Sequence, residues 1–274
     1  MKRAKEIIIK SRRKLFGQNI GNNLSNLKGN GLDFFELREY VYGDDVRRIN
    51  WKVSAREQKP YINVFNEERE LNIIISFLIS GSIYFGSKRQ KQDLMAEILA
   101  LLSFSAMINY DKVTTIFFDE KINHFFKPTK SQNSIYEKVE YALSLDPIGK
   151  RVDFKNLSNF LLNTIKQKSI IFLIGDFFEK VDLTLLSKKH EVYAIVVRDS
   201  FEEEPKLFGE YDLVDLVSKN HNRLDIDEEI LTSYKEELSK EDKNLFEHFR
   251  KNRISFSKIY TDEEPFGKLK EMLK

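Results

Sequence analysis

The chain has 274 residues, 45 Lys+Arg against 43 Asp+Glu, no cysteine and a 41% hydrophobic fraction. That apolar content excludes an intrinsically disordered chain, which cannot offset its ordering entropy, and the formal charge of +2 argues against a generic nucleic-acid coat. The absence of cysteine removes disulfides, thiolate metal sites, iron–sulfur clusters and a cysteine nucleophile together, and fits a reducing compartment.

Charge is unevenly spread. Residues 1–60 carry 14 basic and 7 acidic side chains, a net of +7, and the remainder nets −5. Met1 to Lys14 is basic, but Ile7 to Ile9 is too short for the apolar core of a secretory signal. Gly17, Gly21, Gly29 and Gly31, with several asparagines, predict turns and irregular backbone over 15–70, with a short strand at Ile62 to Phe65. This divides the chain into an N-terminal basic extension over 1–70, expected to pack on the rest, and an α/β body over 71–274.

Along the body, strand-length apolar runs alternate with helical patterns. Leu71 to Ile79 reads as a strand covered on both faces. Gln92 to Ile108 follows as a helix, Lys112 to Phe118 as a strand, and Ser131 to Leu145 and Phe154 to Lys168 as helices. Ser169 to Ile174 is a strand ending at Gly175-Asp176, and Asp182 to Lys189 a short helix leading to the strand Val192 to Val197. Tyr211 to Val217 predicts a strand hairpinned with residues up to Ile226. Asp227 to Lys251 predicts a charged surface helix, Ile254 to Tyr260 a last strand, and Pro265 to Leu273 a closing helix. The alternation implies βαβ units and a mainly parallel sheet. Leu71 to Phe85 and Leu94 to Ile108 fall short of the ~18 uninterrupted apolar residues of a membrane span. Serines, Gly81 and Glu97 interrupt them, so a soluble, cytoplasmic protein is expected.

Enzymatic signatures are sparse. There is no G-x-x-x-x-G-K-[ST] phosphate loop, no G-x-G-x-x-G after a strand and no G-x-S-x-G elbow. His124, His190, His221 and His248 lack metal-ligand spacing. Two features stand out. Strand ends carry Ser80-Gly81-Ser82 and Gly175-Asp176, and ligands of open parallel sheets bind at such ends. Two hydroxyls and a carboxylate suit a hard cation such as Mg²⁺; the plainer alternative is that Asp176 caps the next helix. The second feature is the stretch Gly31 to Arg56, with the single Trp and the Asp44-Asp45 pair. Its dense arginines and acids suit interlocking ion pairs that hold an irregular segment in shape; an arginine-lined anion site and a paired-carboxylate site are the alternatives.

Arg38-Glu39-Tyr40, Gly43-Asp44-Asp45, Arg47, Ile49-Asn50-Trp51 and Ser54-Ala55-Arg56 closely resemble the signature of domain-of-unknown-function family fifty-eight. The similarity runs on through Glu68, Ile73, Gly81-Ser82, Phe85-Gly86, Gly175-Asp176, Arg198-Asp199 and Glu202-Glu203-Glu204-Pro205, and so covers nearly the whole chain. It implies a von Willebrand factor A-like doubly wound sheet. It also implies partnership with a MoxR-type AAA+ ATPase and other von Willebrand A-domain proteins, in a chaperone-like or maturation role. The resemblance makes Arg38, Tyr40, Gly43, Asp44, Asp45, Arg47, Trp51 and Arg56 signature or interaction residues.

A complete metal-ion-dependent adhesion site in such domains reads D-x-S-x-S, with a threonine and an aspartate from two other loops. Here Leu78 stands in the first aspartate position, Ser80, Ser82 and Asp176 remain, and Gly149 to Asp153 offers no threonine. A degenerate, metal-free site without cofactor follows; Lys150 and Arg151 are expected to face solvent, and the alternative is that one of them pairs with Asp176 as a replacement charge. The leading expectation is therefore a non-enzymatic interaction protein, docking through the strand-end face or the segment before residue 60. The alternative is a phosphate or nucleic-acid binding module using Arg12, Arg13, Lys14, Arg47 and Arg48. A hydrolase using Asp44 and Asp45, or Glu67 and Glu68, ranks last, because adjacent carboxylates point apart.

Overall fold

The computed structural model describes residues 2–17, 32–67 and 71–273, in two compact units: 1–26 with 72–274, and 27–71. The first element, α1 (Lys2–Gly17), is a basic amphipathic helix whose Ala4, Ile8, Ser11 and Leu15 are buried at helical spacing. It packs on α3 (Lys91–Ile108) and α4 (Gln132–Ser144). Contrary to the expectation of a single extension over 1–70, α1 therefore belongs to the larger unit.

The core of that unit is a six-stranded sheet of β3 (Asn72–Leu78), β4 (Lys112–Phe118), β5 (Ile122–Thr129), β6 (Ile170–Gly175), β7 (Glu191–Arg198) and β10 (Ser255–Tyr260). The order is β10-β7-β6-β3-β4-β5, parallel throughout except for β5. The predicted mainly parallel α/β architecture is therefore present. The edge strand β5 escaped the sequence reading because Lys127, Pro128 and partial exposure break its pattern; proline is tolerated there because an edge strand need not donate on both sides.

Burial explains the strand sequences. On one face, Ile74, Leu78, Ile116, Phe118, Ile171, Leu173, Ala194 and Val196 form a core with Leu157 and Leu161 of α5 (Phe154–Thr164), Leu186 of α6 (Thr184–Lys189) and Phe249 of α8 (Glu228–Lys251). The other face meets α3, which is buried nearly all round because it lies between the sheet and α1, α4 and α9 (Pro265–Met272). Both faces being covered, β3 reads as a continuous apolar run. A four-residue helix, α7 (Ser200–Glu203), follows β7, and β8 (Gly209–Val214) pairs with β9 (His221–Ile226) as a separate antiparallel hairpin.

The smaller unit is built on β1 (Leu32–Glu39) and β2 (Tyr61–Glu67), antiparallel with a bulge at Phe34/Glu36, and on α2 (Trp51–Glu57). The irregular backbone expected over 15–70 is thus replaced, where described, by a helix and a hairpin. Residues 18–31 and Glu68 lie outside the described residues. The turn chemistry between β1 and β2 obscured the period-2 pattern. Asn50 caps α2 by accepting from Val53 N, and Gln58 ends it in the left-handed region at φ 54°.

Candidate functional site

The chain reverses its winding direction between β3 and β6, which are adjacent in the sheet but separated by β4 and β5 in sequence. Ligands of open α/β sheets bind at the carboxyl ends of strands at such a point. Ser80 and Ser82 follow β3 here, and Asp176 follows β6. The structure brings all three together. Ser80 Oγ lies 3.1 and 3.0 Å from the two Asp176 carboxylate oxygens and 3.0 Å from Ser82 Oγ. Ser82 Oγ also donates to Asp176 Oδ2. Leu78, 1% exposed, packs inward with the core cluster.

The replacement charge comes from neither Lys150 nor Arg151. Lys150 Nζ bonds Asn123 Oδ1 at 3.0 Å and lies 3.6 Å from Asp119, while Arg151 Nε bonds Glu120 at 2.5 Å. Neither of them reaches Asp176 as a partner. Instead Lys91, at the first position of α3 and 0% exposed, places Nζ 3.6 Å from Asp176 Oδ2 and 2.5 Å from Glu202 Oε1. Glu202 is itself held by a capping box: its Oε2 accepts from Asp199 N at 2.9 Å while Asp199 accepts from Phe201 N. Asp199 also accepts from Ser87 N and Ser87 Oγ, and from Thr261 Oγ1. The Arg198-Asp199 pair and the following acidic run thus position the carboxylate that faces Lys91.

Arg198 completes the cluster. It is 1% exposed, its Nη2 bonds Asp242 Oδ1 at 2.9 Å, and its guanidinium lies 3.9 Å from the centroid of the Phe178 ring. Lys91 Nζ lies 4.9 Å from the same centroid, so one aromatic ring serves two buried cations. Burial pushes Asp176 up, but the Lys91 charge, the Ser82 hydroxyl, Arg198 and Ser80 outweigh it and hold the carboxyl below its usual range. Burial wins at Glu202 and raises it despite Lys91. Burial also raises Glu179, with Asp176, Asp215 and Glu120 adding to it against Arg151.

The turn between β8 and β9 closes over this edge. Leu216 O accepts from Gly149 N at 2.8 Å, and Gly81 N donates to Lys150 O at 2.8 Å. A Cβ at Gly81 would lie 2.0 Å from Leu216 O, so only glycine admits this approach. Gly149 takes φ +83°, which also favours glycine.

The signature residues form a separate arrangement in the smaller unit. Arg38 clamps Asp44 with bonds of 2.8 and 2.7 Å, and Asp44 also accepts from Val41 N at 2.8 Å. Gly43 supplies the turn's φ of +106°. Asp45 accepts from Arg47 N at 3.0 Å and pairs with its guanidinium, whose bonds come first among the causes that hold this carboxyl at about 2. Tyr40 N donates to Pro60 O at 2.8 Å, and Arg56 pairs with Glu57. Asp44 and Asp45 thus engage different arginines, in two separate ion pairs. Trp51 is 71% exposed. Sequence reasoning missed Lys91, Glu202 and Phe178 as one cluster; the available signal was a lysine opening an otherwise apolar helix.

Fold and site together define an α/β protein with a self-neutralised polar cluster at its topological switch point. The chain belongs to the family described as "Protein of unknown function DUF58", whose model matches residues 36–244. It is similar to uncharacterized proteins of Mycobacterium tuberculosis and Mycobacterium bovis, each 26% identical over 223 residues, or 79% of this chain and 70% of the relative. Among solved structures it resembles the conserved hypothetical protein BatB of Bacteroides thetaiotaomicron, at 13% identity over 74% of this chain and 97% of that one, with a TM-score of 0.45. An aerotolerance-related membrane protein of Bacteroides fragilis matches at 14% identity over 74% and 96% of the two chains, with a TM-score of 0.44. An uncharacterized membrane spanning protein of Vibrio fischeri covers 66% of this chain and 98% of its own, at 14% identity and a TM-score of 0.26.

Two of these neighbours are described as membrane proteins, which runs against the cytoplasmic location expected from composition. Among the described residues, no helix is long and apolar enough to cross a membrane. Composition registers spans within a chain and says nothing of where that chain resides.

Proposed function

We propose that this protein is a non-enzymatic interaction module with a von Willebrand A-like body. It works with a MoxR-type AAA+ ATPase in a chaperone-like role, and its strand-end face is the docking surface. The observation that carries the reading is the Lys91–Asp176 contact at the switch point. A mainly parallel sheet with one antiparallel edge and Ser80, Ser82 and Asp176 at its turning point supports the von Willebrand A-like assignment.

The residues present do not fit Mg²⁺. The expected leading carboxylate is Leu78, and Asp176 already takes two hydroxyls and an ammonium. A divalent ion would bring a second positive charge against Lys91 and find too few oxygen ligands. Metal-independent docking follows from this reading. An Asp176 carboxyl held in its charged form, hydrogen-bonded and buried, is also a poor proton acceptor, which supports a non-enzymatic role.

Co-purification of the full chain with the MoxR-type ATPase, alongside an ATPase assay on the chain alone, tests the proposal. Capture of the ATPase with no turnover by the chain is expected. Intrinsic nucleotide hydrolysis would sink it.

A further inference from the structure

We propose that the segment from Val41 to Lys52 is a docking surface for an anionic phospholipid bilayer. Tyr42 is 99% exposed, Trp51 71%, Val41 61% and Val46 58%. Four large apolar side chains stand in water within one short segment.

The frame that displays them holds itself. Asp44 N donates to Val41 O, Asp45 caps the turn Val46–Arg48, and Asn50 caps the helix that begins at Trp51. Its acids are used up internally. Glu39 pairs with Lys59, Asp44 with Arg38, Asp45 with Arg47 and Glu57 with Arg56. Arg48 and Lys52, both exposed, hydrogen-bond no carboxylate among the described residues. Within Val41 to Lys52 the surface therefore presents apolar tips with two surplus cations and no surplus acid, Asp44 and Asp45 both being paired.

That combination selects the occupant. Trp and Tyr suit the headgroup boundary, because each joins an apolar ring to a polar atom. Cations beside them are drawn to anionic headgroups. Tyr42, at 99% exposure, has no neighbours to wall a pocket, so it must enter the partner. A bilayer admits such a side chain anywhere on its surface, whereas a protein needs a matched cavity. Val41 and Val46 offer nothing to a nucleic acid. The surface uses other residues than the strand-end face, so the two readings fail separately.

The experiment uses the only tryptophan of the chain, Trp51, as reporter. The full chain is titrated at low salt with vesicles of phosphatidylglycerol and phosphatidylcholine, and with phosphatidylcholine alone. A blue shift of Trp51 emission and co-sedimentation are expected only with the anionic vesicles, reversed by high salt. The double variant Arg48→Gln/Lys52→Gln should bind about thirty-fold more weakly, and Tyr42→Ser more weakly than wild type. Circular dichroism should be unchanged in both, since these side chains are exposed. No shift and no sedimentation, equal binding to neutral vesicles, or undiminished binding by the double variant would each overturn the proposal. So would equally tight binding to a DNA duplex, which would make phosphate rather than a bilayer the ligand.

Discussion

Replacing Lys91 by Met removes the ammonium that neutralises Asp176 and Glu202 while keeping most of the side chain's volume. Lys91 is 0% exposed, Asp176 3%, and the Glu202 side chain 12%, so water cannot take the ammonium's place. Removing one partner of a buried ion pair costs about 3–5 kcal/mol, because an uncompensated charge stays inside. Two features temper that cost. Ser80 and Ser82 still donate to Asp176, and Glu202 is already raised, so it protonates readily. We therefore expect Lys91→Met to lose about 3 kcal/mol at pH 7.5, a large share of the ~5–15 kcal/mol that holds a typical domain folded.

The pH dependence carries the sign. In the wild type the folded Asp176 carboxyl lies below its usual value, so its contribution is present above the unfolded carboxylate pKa and is lost as pH falls through the folded one. In the variant, loss of the Lys91 charge moves both carboxyls upward, because Lys91 is the foremost cause that holds each of them down against burial. The variant should then gain stability relative to wild type as pH falls, and the gap should narrow between pH 7.5 and pH 5. Urea unfolding followed by circular dichroism at both pH values measures this. A loss under about 1 kcal/mol, or a gap independent of pH, would refute the argument that Lys91 neutralises the site.

Adding Mg²⁺ should leave the wild-type melting temperature unchanged, whereas Leu78→Asp combined with Lys91→Met should gain a Mg²⁺-dependent rise that Asp176→Ala removes. A Mg²⁺-dependent rise in the wild type would count against the metal-free reading. Lys138 is 1% exposed, its Nζ reaches Val113 O at 3.3 Å, and burial lowers it to about 8. The unfolded chain then binds more protons above that pH, so stability rises between about pH 8 and pH 10. Lys138→Met should stabilise by about 1–3 kcal/mol at pH 7, an advantage that disappears above pH ~10 in unfolding curves. Gly81→Ala forces the Leu216 carbonyl away, and should cost about 1–3 kcal/mol. It should also speed hydrogen exchange at the Gly149 amide that donates to Leu216 O.

Apolar patterning alone located β3, β4, β6, β7, α3 and α8: the four strands are largely apolar runs covered on both faces, and α3 is a long, almost wholly buried apolar stretch. It missed α1, whose buried Ala4, Ile8, Ser11 and Leu15 include small and polar residues that do not register as an apolar stripe. It missed β5 because an edge strand is only half covered. In the site, Ser80, Ser82 and Asp176 were legible as strand-end residues, since strand ends at a switch point carry ligands in this fold class. Their cationic partner was not legible: Lys150 and Arg151, near them in the expected loop order, were only an alternative to solvent-facing residues. Both are occupied by acids of the β4–β5 turn and its flank, Asp119 and Glu120.

What the sequence determined by itself was local. Apolar spacing set the strands and helices, the acid–base density of the signature set its ion pairs, and the serines and Asp176 marked the strand ends. What only the tertiary structure decided was which charge neutralises Asp176. Lys91 lies 85 positions before Asp176 and Glu202 lies 26 after it, and no pattern in the chain relates the three. They meet because β3, β6 and β7 are neighbours in the sheet, and because α3 starts beneath their carboxyl ends. Buried charges must be paired, but the sheet order chooses the partner.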